Sequence, residues 1–225
     1  MKRSEINRII TDAKEFMAGK CFLLPPWAAW SVADWKEHLT ETDEIRNNFL
    51  GWDITDFGSG DFKSRGLFLF TIRNGKLGAD LKPYAEKIMI VEENQETPMH
   101  FHWSKMEDII NRGGGNLVIE LYNSKPDDSM DSTAVHFKTD GMQRTVEAGG
   151  KVILKPGESI TLEHGVYHRF YGEAGKGKVL VGEVSAVNDD ASDNCFFEEI
   201  GRFPVIEEDE EPIHLLVGDY SKFLV

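Results

Sequence analysis

The sequence predicts an all-β core preceded by an N-terminal helical extension. From Gly66 to Val187 the chain is a series of short runs rich in Val, Ile, Leu and Phe, separated by Gly, Pro, Asn and Asp. Such runs, with turn residues between them, are typical of the strands of a β-sandwich or barrel. No long helical period interrupts them, which argues against a parallel α/β sheet.

The extension is predicted from apolar residues that recur every three or four positions over residues 4–18, and from Gly19, which follows as a stop. Ser31 and Asp34 have the spacing of a capping box, so a second, short helix is expected after Ser31. We therefore expect a helical extension, a β-barrel and a C-terminal strap, which span residues 1–60, 61–190 and 191–225.

Two shorter segments carry local predictions. The pair Asn74-Gly75 follows an apolar run and is a signal for a tight β-hairpin turn. The acidic run Ile206–Pro212 predicts a solvated loop rather than a binding site.

Charge and cysteine content limit the class of protein and its partners. The chain of 225 residues has a formal net charge of −14. A surface this acidic repels phosphate backbones and anionic lipids, so we expect neither a nucleic acid nor a membrane as partner. Cys21 and Cys195 lie far apart in sequence, and the polar N-terminus has no apolar leader. We therefore expect a cytoplasmic protein with reduced thiols.

Two histidines one residue apart, His100 and His102, indicate a metal site. Successive side chains of a strand point to opposite faces, so both imidazoles share one face. Glu107, after a short turn, can add a carboxylate oxygen. Imidazole together with carboxylate suits Mn, Fe, Co, Ni or Zn, and the type of ligand does not choose among these metals.

A second motif follows further along the chain. Its spacing predicts a strand, a glycine turn and a histidine on the next strand, and it is formed by Gly157, Glu163, Gly165 and His168. The HxH-x4-E run resembles the first motif of the cupin family, and the later run resembles the second motif, with Glu163 where a proline is usual. That departure alters a turn and removes no ligand. The resemblance implies a cupin double-stranded β-helix, or jelly roll. It also implies that one metal ion is held by His100, His102, His168 and Glu107.

The other histidines are expected to be structural or exposed. His38 falls in the short helix, His136 and His214 in strands without a partner at ligand spacing, and His164 in the glycine turn.

Nearly the whole chain is similar to the D-lyxose isomerase family of cupin-type sugar isomerases. The similarity is carried by "LPPWAAW", "EKIMIVEENQETPMHFHWSKMEDIINRGGG", "LEHGVYHRFYG", "GEVSAVNDD" and "FFEEIGRFP". It implies interconversion of D-lyxose with D-xylulose and of D-mannose with D-fructose. It further implies a preference for Mn²⁺ and a homodimer, while the type of ligand leaves Co²⁺, Ni²⁺, Fe²⁺ or Zn²⁺ as other possible ions.

Aldose–ketose isomerisation needs a base beside the reacting carbons and positive charge beside the oxygens. Glu183 alternates with Val181 and Ser185 along a strand and can point inward as a proton shuttle or as an acceptor for sugar hydroxyls. Lys87 opens a neighbouring strand and can donate to a sugar oxygen. Lys105 is expected either to contact the metal ligands without binding the metal, or to lie in solvent. Weaker candidates for contacts with sugar hydroxyls follow the last strand, at Asp190, Glu199 and Arg202.

Two other functions use a similar fold. An iron-dependent cupin dioxygenase needs dioxygen and often an apolar pocket, whereas the charged candidates in this sequence favour a polyol substrate. A non-catalytic sugar-binding cupin keeps the fold but needs no base.

Overall fold

The computed structural model of the chain describes residues 1–79, 81–189, 192–201 and 204–224. The helices in these ranges are α1 (Arg3–Gly19), α2 (Val32–Glu37), α3 (Asp43–Asn47) and α4 (Tyr220–Phe223), with 3-10 turns at Pro26–Ala29, Leu39–Glu41 and Val217–Asp219. The strands in the same ranges are β1 (Gly51–Thr55), β2 (Leu67–Arg73), β3 (Tyr84–Val91), β4 (His100–Phe101), β5 (Glu107–Gly114), β6 (Leu117–Asn123), β7 (Val135–Thr139), β8 (Met142–Val146), β9 (Gly150–Leu154), β10 (Ser159–Leu162), β11 (Val166–Gly172), β12 (Val179–Ala186) and β13 (Cys195–Phe196).

The strands form two antiparallel sheets. The larger sheet has the order β1-β2-β3-β12-β5-β10-β7-β8, and the smaller has the order β13-β4-β11-β6-β9. Apolar side chains from both sheets fill the space between them, among them Met89, Ile109, Leu121, Phe170 and Val181. The prediction of an all-β core is confirmed, because alternate residues of each strand supply this apolar layer.

The predicted N-terminal helix is confirmed as α1. Its buried side chains Ile6, Ile10, Ala13 and Met17 pack on the outer face of the larger sheet. That face is formed by alternate residues of β1, β2, β3 and β12, including Trp52, Phe70, Ile88 and Leu180. These strands are therefore covered on both faces, and their other alternate residues are free to build the interior of the sandwich.

The capping box is also present. The Asp34 amide donates to Ser31 Oγ at 3.3 Å, and the Ser31 amide donates to the Asp34 carboxylate at 2.8 Å. The two bonds satisfy backbone donors at the start of α2.

The hairpin predicted at Asn74-Gly75 is confirmed as an antiparallel pair of strands, but the turn is not of the tight two-residue type. β2 and β3 do pair in antiparallel fashion, but the connection between them runs from residue 74 to 83. Asn74 is buried, and its side chain bonds to the backbone of Asn188 instead of shaping a turn. A long-range interaction has therefore overridden the local turn preference of this dipeptide.

The acidic run is more than a solvated loop. Arg3 N donates to Glu207 O at 2.9 Å, and the Asp209 carboxylate accepts from Ser4 N at 2.9 Å. The run thus lies along the first turn of α1, where negative charge also complements the helix dipole. The three-part division of the chain stays a prediction, and the structure adds β1 and β13, both outside residues 61–190, to the two sheets.

Arg3 anchors the C-terminal segment to α1. Its fully buried guanidinium donates to the Asp219 carboxylate at 2.8 Å through two nitrogens and to Glu208 at 2.7 and 2.8 Å. Arg3→Met is expected to lower the free energy of unfolding by about 3–5 kcal/mol, because Asp219 remains as a buried charge without its partner. Urea unfolding followed by circular dichroism measures this loss. Glu208→Gln is the control: the side chain is 43% exposed, so its loss should stay below about 1 kcal/mol. Equal losses in both variants would contradict the assignment.

Candidate active site

Three histidines meet between the two sheets. His100 on β4 lies directly opposite His168 on β11 in the strand register, so both rings are on the same face of the smaller sheet. Their ring centroids are 4.3 Å apart. His102 follows the end of β4, with its ring centroid 5.1 Å from that of His100. One ring nitrogen from each histidine lies within 4.8 Å of the others.

The three imidazoles are held in one orientation by backbone carbonyls. The Nδ1 atoms of His100, His102 and His168 donate to the carbonyl oxygens of Pro98, Asp193 and Val166, at 2.9, 2.8 and 3.0 Å. A carbonyl can only accept, so each Nδ1 carries the hydrogen, and in the neutral form of the ring each Nε2 presents a lone pair. Metal-binding histidines are commonly oriented in this way.

The donor set fits a divalent metal ion. The buried Nε2 atoms of His102 and His168 make no hydrogen bond to any residue that the structure describes. Yet the Glu107 carboxylate oxygens lie 3.6 Å from His102 Nε2 and 3.0 Å from His168 Nε2. An imidazole lone pair facing a carboxylate oxygen is unfavourable unless a cation satisfies both. Glu107 begins β5 of the larger sheet, so the two sheets face each other across the candidate site.

The protonation states suit a cation as well. Burial lowers the pKa of His100 well below its usual range, and the neighbouring His168 and His102 rings lower it further. For Glu107, burial alone raises the pKa of the carboxyl, but the net pKa is well below the usual value, and the Lys105 ammonium is the largest of the causes that lower it. A neutral imidazole and an ionised carboxylate are the forms that bind metals.

A second charged cluster lies beside the histidines on the larger sheet. Glu183 on β12 is directly opposite Lys87 on β3 in the strand register. Its Oε1 atom is 3.3 Å from Lys87 Nζ and 3.1 Å from Lys105 Nζ, and all three side chains are buried. Burial raises the pKa of Glu183, whereas Lys105 and Lys87 lower it by more, so the net pKa lies below the usual value. The structure thus places both predicted catalytic side chains in the interior.

Lys105 links the two clusters. Its Nζ atom is 2.7 Å from Glu107 Oε2 as well as 3.1 Å from Glu183 Oε1. Of its two predicted placements, the structure gives the one beside the candidate metal ligands rather than the one in solvent.

Of the remaining predicted site residues, only Glu199 lies within the described residues, and it is not brought to these clusters. Glu199 is exposed and is not among the described residues that line the cavity. Asp190 and Arg202 lie outside the described residues.

Two residues of the segment after β12 were missed by the sequence reasoning. The Asp193 carboxylate accepts from the amides of Ser104 and Lys105, both at 2.8 Å, and its carbonyl holds His102. Asn188 accepts from Lys87 Nζ at 2.6 Å. The only signal in the sequence was the polar composition of this segment, which does not say which side chain points inward.

The other histidines do not line the cavity. These are His38, His136, His164 and His214. His214 lies in a bend, so its predicted strand is wrong. Its Nδ1 donates to Trp30 O at 2.9 Å, and its Nε2 is 2.8 Å from Lys14 Nζ. The structural role expected for it is therefore supported.

The two clusters open into one cavity of about 220 Å³. Its lining includes the three histidines, Glu107, Lys87, Lys105 and Glu183, together with apolar side chains such as Leu69, Phe170 and Phe196 and polar ones such as Asp53 and Thr97. Pockets for drug-sized ligands are roughly 300–1,000 Å³, so this cavity suits a smaller molecule.

Fold and site together define a cupin-type protein with a candidate metal centre. The model of the D-lyxose isomerase family matches residues 1–220, and the chain belongs to this family. A D-lyxose/D-mannose isomerase of Serratia proteamaculans is 49% identical over 227 residues, which cover 100% of both chains. A D-lyxose/D-mannose isomerase of Escherichia coli O157:H7 is 46% identical, over 99% of this chain and 100% of the relative.

A solved structure shares the fold at low sequence identity. The L-ribose isomerase of Cellulomonas parahominis, determined with L-ribose, superposes with a TM-score of 0.63 over 92% of this chain and 98% of that chain, at 15% identity. Within the described residues, no helix has the length and apolar character needed to cross a membrane.

Proposed function

We propose that this protein is a metal-dependent aldose–ketose isomerase that interconverts D-lyxose and D-xylulose, and also D-mannose and D-fructose, through an enediol. One observation carries the proposal: a buried carboxylate, Glu183, lies between two ammonium groups and beside three oriented imidazoles. This arrangement supplies a base and fixed positive charge in one cavity. The names of the relatives support the choice of sugars.

His100, His102, His168 and Glu107 are the residues that would hold the metal. We propose Mn²⁺, with Co²⁺, Ni²⁺, Fe²⁺ or Zn²⁺ as alternatives, because imidazole and carboxylate suit all of these ions. When bound, the metal would supply Lewis-acid polarisation of the sugar carbonyl without a change of its own redox state.

The chain's own side chains would carry the proton and stabilise charge. Glu183 takes the proton from C2 of the open-chain aldose and returns it to C1, while the hydroxyl proton of O2 passes to O1, so that the Glu183 side chain is protonated only while the enediol is present. Lys87 and Lys105 are the hydrogen-bond donors nearest to Glu183, and they would stabilise negative charge that develops on the sugar oxygens. The apolar walls limit the water that competes for these interactions.

A panel of aldoses tests the activity. The Mn²⁺-loaded protein, incubated without oxygen, is expected to form a ketose from D-lyxose and from D-mannose, detected by chromatography. Turnover without oxygen would separate an isomerase from a dioxygenase, and any turnover excludes a binding protein. No ketose from any aldose would refute the proposal.

Reaction in D₂O tests the route. A proton carried by a carboxylate exchanges with solvent, so we expect deuterium at C1 of the ketose, measured by mass spectrometry and NMR. A hydride shift moves hydrogen directly between the carbons and leaves no label. Unlabelled ketose, with a control showing that a C1 label is not washed out, would contradict the enediol route.

Two further expectations belong to this proposal. A homodimer is implied by the resemblance of the sequence to its family, and light scattering measures it. A cytoplasmic location is supported by the free thiols of Cys21 and Cys195, because disulfides are rare in that compartment.

A further inference from the structure

The ammonium groups of Lys87 and Lys105 share two oxygen atoms. One is Glu183 Oε1, at 3.3 and 3.1 Å. The other is Asn188 Oδ1, which accepts from Lys87 Nζ at 2.6 Å and from Lys105 Nζ at 3.4 Å. The four groups therefore form a closed ring in which each positive group lies between a carboxylate oxygen and an amide oxygen.

We propose that Asn188 is a positioning residue of the isomerase site, whose amide oxygen fixes both ammonium groups against Glu183. The inference rests on the proposed function. Two like charges repel each other, and lysine stems are flexible. Lys105 Nζ is also held by Glu107 Oε2 at 2.7 Å, whereas the only ion pair of Lys87 among the described residues is the one with Glu183. A second, neutral acceptor on the other side restricts both ammonium groups without adding another base to the cavity.

Asn188 is itself held by Asn74. The Asn188 amide donates to Asn74 Oδ1 at 3.0 Å, and Asn74 Nδ2 donates to the Asn188 carbonyl at 3.0 Å. The Asn74 side chain thus pairs with both backbone groups of one residue, as a neighbouring strand would. Asn48 Nδ2 in turn donates to the Asn74 carbonyl at 2.9 Å.

These two hydrogen bonds between the Asn74 side chain and the Asn188 backbone, called the Asn74 clamp, give Asn74 a role other than the turn that the sequence predicts. Asn74 does not line the cavity, so it acts on the lysines only through the backbone of Asn188. Side chains that position reacting groups affect turnover steeply, since a displacement of about 1 Å can cost on the order of 10²-fold.

Asn188→Leu removes the acceptor with little change in size. We expect kcat to fall by about tenfold or more, with KM changed much less and Mn²⁺ content unchanged. Asn74→Ala is expected to lower kcat less. Because Asn74 acts through Asn188, adding Asn74→Ala to Asn188→Leu should change kcat by less than about twofold.

Asn7 supplies the matched control. It makes the same kind of clamp on the C-terminal segment, where Nδ2 donates to Glu211 O at 2.9 Å and Oδ1 accepts from Ile213 N at 3.1 Å. Asn7→Ala should lower the melting temperature as Asn74→Ala does, but should leave kcat unchanged well below that temperature.

If the wild type is active, either of two results would overturn the inference. One is a wild-type kcat in Asn188→Leu, and the other is a double variant whose loss of kcat equals the product of the losses in Asn74→Ala and Asn188→Leu. A wild type that converts no aldose is a failure of the proposed function instead. Crystal structures would then decide the positioning role. Lys87 Nζ or Lys105 Nζ should leave Glu183 in Asn188→Leu, and unchanged distances would refute it.

Discussion

His102→Ala is expected to weaken Mn²⁺ binding by at least about one to two orders of magnitude. Even residues that only hydrogen-bond to metal ligands change metal affinity by about 10–100-fold when they are replaced. His102 is buried, its Nδ1 is fixed by the Asp193 carbonyl, and its Nε2 has no hydrogen-bond partner among the described residues. Removing this ring takes away one of the oriented nitrogen donors and leaves a gap that water fills.

Metal content after dialysis, measured by elemental analysis, tests this expectation. A second readout is thermal stability: an ion present at about 100 times its dissociation constant stabilises the folded state by roughly 2.7 kcal/mol, and this gain should be lost in the variant at the same Mn²⁺ concentration. His136→Ala is the control, since His136 is exposed on β7 and its Nδ1 contacts Thr145 Oγ1. A full complement of metal in His102→Ala would remove His102 from the ligand set.

The β-core and α1 could be predicted because their signals are local. A strand that buries one face must alternate, and α1 repeats its apolar residues at helical spacing. The connection between β2 and β3 could not be predicted in this way. Asn74 is suited both to a turn and to pairing with distant backbone, and only the folded chain brings Asn188 within 3.0 Å of it. Local propensity cannot choose between these uses.

The same distinction explains the site. His100 and His102 share a face because they are two residues apart in a near-extended segment, so their convergence is a property of the local sequence. Glu183 alternates with Val181 and Ser185 along its strand, so an inward position is a possibility that the local sequence also contains. Lys105 sits between two ligand positions, but its inward direction depends on Asp193, which binds the Lys105 amide from a segment far away in sequence. No periodicity contains that information.

Glu183→Gln is expected to lower kcat by roughly 10²–10⁴-fold, the usual contribution of a general base. Glutamine keeps the size of the side chain and can still accept from Lys87 and Lys105, but it cannot take up the C2 proton. The effect should therefore fall on kcat and much less on KM, because an interaction used in proton transfer is lost while binding contacts remain.

The control for this variant is Glu120→Gln. Glu120 is also a buried strand glutamate with a cationic partner, Arg169 at 2.9 Å, but it does not line the cavity. It should keep its turnover rate at temperatures well below melting. If Glu183→Gln retains its metal and its kcat stays within about twofold of the wild type, Glu183 is a binding residue and another group moves the proton. If kcat falls while deuterium from D₂O still enters C1 at the wild-type fraction, a weaker base or water has replaced the carboxylate. The role of Glu183 in transferring the proton then stands, since only the rate of the transfer has changed.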